Sequence, residues 1–120
     1  MPKSTEIGQK AEGQALAYLE SKGLTLLERN YRCNRGEIDL VMDDDGTLVF
    51  VEVRFRKHNH FGSALESINH TKQKKIITSA KHYLAHHTED RAIRFDAIAL
   101  TPTTSKLEIQ WIKSAFEAWN

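Results

Sequence analysis

The sequence predicts an α/β protein, with a mixed five-stranded sheet flanked by helices in the order α-βββ-α-ββ-α, as a single domain over residues 1–120. Three observations carry this. Segments 5–22 and 70–87 repeat apolar residues at helical spacing. Asp45-Gly46 separates two runs of alternating apolar residues, the strongest short-range hairpin signal. The composition, 40% hydrophobic and 28% charged, suits a folded chain with one hydrophobic core.

The elements follow in order. Residues 5–22 form a helix capped by Ser4 or Thr5, with Gly23 just past its end. Residues 24–33 read as a strand, and strands 36–43 and 47–57 follow as a hairpin. The stretch 58–67, containing Gly62, is a loop. The helix at 70–87 buries Ile76, Ile77, Ala80, Tyr83 and Leu84. Strands at 92–101 and 106–112 and a short helix at 115–119 complete the chain.

The hairpin brings carboxylates together. If Asp44 pairs with Thr47, then Val41 opposes Phe50, Asp39 opposes Glu52, and Glu37 opposes Arg54. Leu40, Met42, Ile38, Val49, Val51 and Val53 then form a wholly apolar face, and Glu37, Asp39, Glu52 and Arg54 share the other. Two carboxylates opposite one another repel, so a shared proton, a cationic side chain or a bound metal must compensate. Mg²⁺ suits a few carboxylate oxygens completed by water and phosphate. Glu12 is a third candidate. Ala15, Leu16 and Leu19 follow it at helical spacing, so it lies along the apolar stripe, where an unpaired glutamate is rarely buried. Gly8 and Gly13 flank it and are expected to let the helix approach the sheet closely.

Net charge is +1, so global charge selects no partner, but its distribution is uneven. Between Glu52 and His82 seven basic residues oppose two acidic ones, a net of +5 that leaves −4 elsewhere. Such a segment beside a carboxylate cluster fits a phosphodiester-binding site or a solvated helix face. No apolar run is long enough to span a bilayer, which takes roughly 20 residues, and the N-terminus lacks the apolar stretch of a secretory signal. Cys33 is the single cysteine, so no internal disulfide or Cys-type zinc site is expected. A cytoplasmic protein without a membrane partner fits these features.

Taken together, Gly36-Glu37-Ile38-Asp39-Leu40 and Phe50-Val51-Glu52-Val53-Arg54 resemble the motif of the PD-(D/E)xK nuclease superfamily. Gly-Gln-x-Ala-Glu in the first helix, Arg94-Phe95-Asp96 and Ala115-Phe116 extend the likeness over nearly the whole chain, to the YraN-like family of uncharacterised bacterial proteins. The resemblance implies a restriction-endonuclease-like three-layer core, close to Holliday-junction resolvases. It further implies that Asp39 and Glu52 hold Mg²⁺ or Mn²⁺ with Glu12 completing the site, that a homodimer forms, and that DNA is the partner. The superfamily's lysine is replaced here by Arg54. Arginine stays charged and stabilises phosphate charge, but it is a poor proton acceptor.

Three readings follow. One is a metal-dependent endonuclease of the resolvase-like class acting on structured DNA, its water activated by the metal or by a relocated Lys57, Lys72 or Lys74. Another is a non-catalytic nucleic-acid-binding module on a degenerate nuclease fold, with a protein-interaction scaffold as a third option. Arg56, Lys57, Lys72, Lys74 and Lys75 would neutralise phosphates, and related folds place a glutamine, here Gln73, facing the site. Arg94 and Asp96 share a strand face and read as a structural ion pair. Asp43, Asp44 and Asp45 read as turn residues without calcium-loop spacing. The tripeptide His58-Asn59-His60 is not the dispersed pattern of the nuclease class with those initials, and His82/His86, the one i, i+4 histidine pair, is weak support for zinc. Trp111, Trp119, Phe116 and Tyr31 read as core or dimer contacts.

Overall fold

A computed structural model describes residues 3–56, 68–87 and 90–117, with side chains from residue 7 onward. Helix α1 (Lys3–Ser21) leads into β1 (Thr25–Cys33), β2 (Gly36–Asp44) and β3 (Thr47–Phe55); α2 (His70–Ala85), β4 (Ile93–Pro102) and β5 (Leu107–Phe116) follow. The strands form one sheet in the order β1-β2-β3-β4-β5. All neighbours are antiparallel except β3 and β4, which are parallel because α2 lies in the connection between them. This is the three-layer α/β core that the sequence predicts.

The hairpin is built by its turn. Asp45 and Gly46 have φ of 52° and 96°, the two positive values that a tight two-residue turn requires and that aspartate and glycine tolerate. The register follows as expected: Asp44↔Thr47, Met42↔Val49, Val41↔Phe50 and Leu40↔Val51. Arg91 pairs with Asp43 and Arg94 with Asp44, so the turn acids also tie the hairpin to β4 and its approach. Helix α2 starts at Asn69, whose side chain accepts the Lys72 backbone N–H at 2.9 Å, a standard N-cap.

Apolar clusters fill both sides of the sheet. On one side Ala11, Ala15 and Leu19 of α1 cover Leu40, Met42, Val49, Val51, Ile98 and Leu100. On the other, Ile76, Ala80 and Tyr83 of α2 cover Ile38, Val41, Phe50, Phe95 and Ala97. Ile77 and Leu84, expected in the α2 stripe, pack half-buried at its edge. Both faces of β3 and β4 are therefore covered, as a central parallel pair demands.

Several expectations change. Ile38 packs with Val41 against α2, not with Leu40 against α1, so strand alternation slips around Asp39. Helix α1 begins at Lys3, which places Ser4 and Thr5 inside its first turn rather than at its cap. The helix expected at 115–119 is strand as far as Phe116: Ser114 at φ 52° and a register shift between Phe95 and Ala97 carry the chain around a bulge, and Phe116 then pairs with Phe95. The two rings stack with centroids 5.0 Å apart, which rewards continued strand over a helical turn. The expected loop at 58–67 lies outside the described residues, as do Lys57, Glu66, the His58-Asn59-His60 tripeptide and Trp119. Among the described residues no helix is long and apolar enough to cross a membrane.

Candidate metal and phosphate site

The ladder between β2 and β3 extends from the turn only to Leu40↔Val51. Beyond it the Val53 backbone N–H donates to Asp39 Oδ2 at 2.8 Å, so a side chain takes up a donor beyond the paired region. A groove of about 370 Å³ opens at this seam. Helix α1 lines it with Gly8, Ala11 and Glu12, the strands with Gly36, Glu37, Asp39, Glu52, Val53, Arg54 and Phe55, and α2 with Lys72, Lys75 and Ile76. Asp39 and Glu52 thus meet as the sequence indicates, but across an opened seam instead of as ladder partners.

Their electrostatics follow from that placement. Burial, then the neighbouring Glu52 and more weakly Glu12, push the Asp39 carboxyl up to about 8, against the pull of the Val53 N–H. Glu52 is also pushed up by burial, although Arg54 and Lys72 oppose the rise. Each carboxyl acts on the other's proton, so the two titrate as a coupled pair. Arg54 Nη2 lies 3.1 Å from Glu52 Oε2 and Lys72 Nζ 4.0 Å from the same oxygen. Yet neither Arg54 Nε nor Nη2, both shielded from solvent, has a hydrogen-bond partner among the described residues. The ion pair is close but misaligned, which leaves guanidinium donors unsatisfied beside the groove.

On the α1 side of Asp39 stand two further acids. Glu12, Glu37 and Asp39 each place a carboxylate oxygen within 4.8 Å of the others. Glu12 is half-buried at the edge of the Ala11, Ala15 and Leu19 stripe, with Arg29 Nε 3.7 Å away. Asn30 Nδ2 donates to Glu12 Oε1 at 2.8 Å and to Glu37 Oε2 at 3.2 Å. The glycine expectation is corrected here. A Cβ on Gly8 would meet nothing within 4 Å and one on Gly13 only the tip of Arg29, so neither permits a close helix–sheet approach. Gly36 does: its Cβ would lie 3.2 Å from Ser79 Oγ and 3.6 Å from Lys75 Cβ and O.

Of the residues singled out by sequence, Glu12, Asp39, Glu52, Arg54, Lys72 and Lys75 line one groove. Lys74 and Arg56 do not line it; Lys74 is exposed and Arg56 donates its backbone N–H to Leu100 O. Gln73 turns its amide back to Ile68 O at 3.0 Å, fastening the chain just ahead of α2. Asp96 is fully buried and accepts four hydrogen bonds, from Arg94 Nε and Nη2, Trp111 Nε1 and the Ser114 N–H. Its role with Arg94 is structural, as read from the sequence. Tyr31 and Trp111 pack against the core, and the Tyr31 hydroxyl hydrogen-bonds His82 Nδ1. Sequence reasoning places Glu37 on the polar face without naming it as a ligand, and it misses Asn30; the two-residue spacing of Glu37 from Asp39 is the available signal.

Residues 11–100 match the model of a family described as an uncharacterised protein family, UPF0102. Relatives with that family name include one from Nitrosomonas europaea, 50% identical over 92% of both chains. Another, from Methylococcus capsulatus, is 44% identical over 92% of this chain and 90% of its own. A third, from Stutzerimonas stutzeri, is 45% identical over 98% of this chain and all of its own. The chain belongs to the UPF0102 family.

Proposed function

We propose that this protein is a divalent-metal-dependent nuclease of the resolvase-like class, acting on structured DNA in the cytoplasm. One observation carries the reading: a half-buried aspartate, Asp39, is crowded by three other carboxylates in a groove whose far wall is Arg54, Lys72 and Lys75. An all-oxygen donor set of excess negative charge fits Mg²⁺ or Mn²⁺. Glu12, Glu37 and Asp39 would hold the ion together with Glu52, and a bound ion would lower the pKa of its water and offset phosphate charge.

The chain's own residues divide the remaining work. Hydrolysis forms a bond from water oxygen to phosphorus and breaks the bond to the leaving sugar oxygen, which takes up a proton. Arg54 lines the groove, where its charge would offset that of a phosphate, and Lys72 and Lys75 add charge on the same wall. Arg54 holds its proton, so the proton lost by water passes to a carboxylate or to solvent. Gly8 and Ala11 bring no bulky side chain to the α1 wall.

A second reading keeps the groove and removes the turnover. It is favoured by the same Arg54, which can bind phosphate but cannot take a proton, and makes the protein a non-catalytic nucleic-acid-binding module. Cleavage of labelled four-way-junction, flap and linear DNA in Mg²⁺, Mn²⁺ or EDTA separates the two. Metal-dependent cutting abolished by Asp39→Ala and Glu52→Ala is expected. Tight, salt-sensitive binding without cutting in any metal would sink the nuclease and leave the binding module.

A further inference from the structure

We propose that Asn30 is a positioning residue that holds Glu12 and Glu37 at the spacing a divalent cation requires; this rests on the metal-site reading above. Asn30 lies in β1 with φ 56°, a left-handed conformation that glycine adopts most readily and that asparagine tolerates better than most residues. A position needing only that backbone would be served best by glycine, so the side chain calls for its own explanation. The amide supplies one.

Nδ2 carries two hydrogens, and two carboxylates receive them: Glu12 Oε1 at 2.8 Å and Glu37 Oε2 at 3.2 Å. Those acids come from different elements, α1 and β2, and like charges so placed drive each other apart. A neutral amide draws them together and leaves their charge intact, whereas a lysine at this position would cancel part of it. Glu12 keeps its second oxygen for another partner, whereas Glu37 shares its two oxygens between Asn30 and Arg32 and offers a cation their remaining lone pairs. Residues that orient ligands in this way tune metal affinity nearly as strongly as the ligands do.

Neighbouring features fix the clamp itself. Arg29, the preceding residue, donates Nη2–H to Gln9 O at 3.1 Å and so ties β1 to α1. Arg32 Nε donates to Glu37 Oε1 at 3.1 Å, so that this oxygen is held at the exposed edge. On the far side of Asn30, Tyr31 is anchored against α2 by its ring contact with Tyr83, centroids 5.1 Å apart. The amide is therefore presented from a backbone tethered to both helices.

Asn30→Gly isolates the side chain, because it removes the amide and relaxes the backbone. Mn²⁺ binding is followed by electron paramagnetic resonance of the free ion, and metal-free stability by urea denaturation in EDTA. The expected result is a Kd for Mn²⁺ raised about tenfold or more, with the urea midpoint in EDTA equal or higher. Unchanged Mn²⁺ affinity in Asn30→Gly overturns the inference, and a lowered midpoint with that affinity intact assigns Asn30 to the fold alone. Asp39→Asn is run beside it. If the unsubstituted protein takes up no Mn²⁺, the metal reading and this inference fall together. If uptake is lost in Asp39→Asn yet normal in Asn30→Gly, only the inference falls.

Discussion

Replacing Asp39 by asparagine changes how stability depends on pH, in a direction fixed by the groove. The Asp39 carboxyl, ordinarily near 3.8, is pushed up to about 8 in the folded protein by burial and by Glu52. Between those values the folded chain holds a proton that the unfolded chain releases, so stability falls as pH rises through this window. It is fully present below about pH 4 and lost by about pH 8 in the metal-free protein. A tenfold difference in proton affinity is worth about 1.4 kcal/mol. The full difference would approach 6 kcal/mol, and water entering an open groove reduces this to about 3 kcal/mol. The amide of Asp39→Asn would keep a carbonyl oxygen for the Val53 N–H and carry no charge. Urea unfolding in EDTA at pH 5, 6, 7 and 8 is therefore expected to show a declining midpoint in the unsubstituted protein and a much flatter profile in Asp39→Asn, the variant being the more stable of the two at pH 8. Parallel profiles for the two proteins would mean instead that the groove does not raise the Asp39 carboxyl.

Other outcomes follow from the same structure. Asp96→Ala removes the acceptor for four hydrogen bonds and leaves Arg94 with Asp44 as its acidic partner, and is expected to cost about 3 kcal/mol in thermal or urea unfolding while leaving metal uptake unchanged. Gly36→Ala forces Ser79 or the Lys75 backbone to give way, with an expected loss of about 1–2 kcal/mol in urea unfolding, whereas Gly8→Ala, facing open space, gains up to about 1 kcal/mol from helix propensity. Lys72→Ala and Lys75→Ala are each expected to weaken DNA binding and to lower the slope of log affinity against log salt by about 1, measured by fluorescence anisotropy. Lys74→Ala, outside the groove lining, leaves the slope nearer its original value.

The hairpin is legible because two local rules agree: Asp45-Gly46 specifies the turn, and alternation on either side specifies the register. Once that register is known, the meeting of Asp39 and Glu52 follows, and Glu12 follows from its place on the α1 stripe. What the sequence hides depends on distant contacts. The ladder stops after Leu40 because Asp39 takes the Val53 N–H, and no periodicity announces that exchange. Asn30 looks like an ordinary polar strand residue until its backbone turns left-handed and its amide finds acids 18 and 7 positions away. Gly36 reads as the start of a strand, and only the packing of α2 shows that a side chain would not fit. Ala115-Phe116 reads as helical for a similar reason: its short range favours neither state, and the ring of Phe95 decides for strand.

The seam between β2 and β3 is proposed above as a divalent-cation site. Crystals soaked in Mn²⁺ and measured for anomalous scattering at the manganese edge test it directly. A peak is expected among the carboxylates of Glu12, Glu37 and Asp39, absent from crystals of Asp39→Asn. No peak in that groove at saturating Mn²⁺, or a peak that persists without the Asp39 carboxylate, would contradict it.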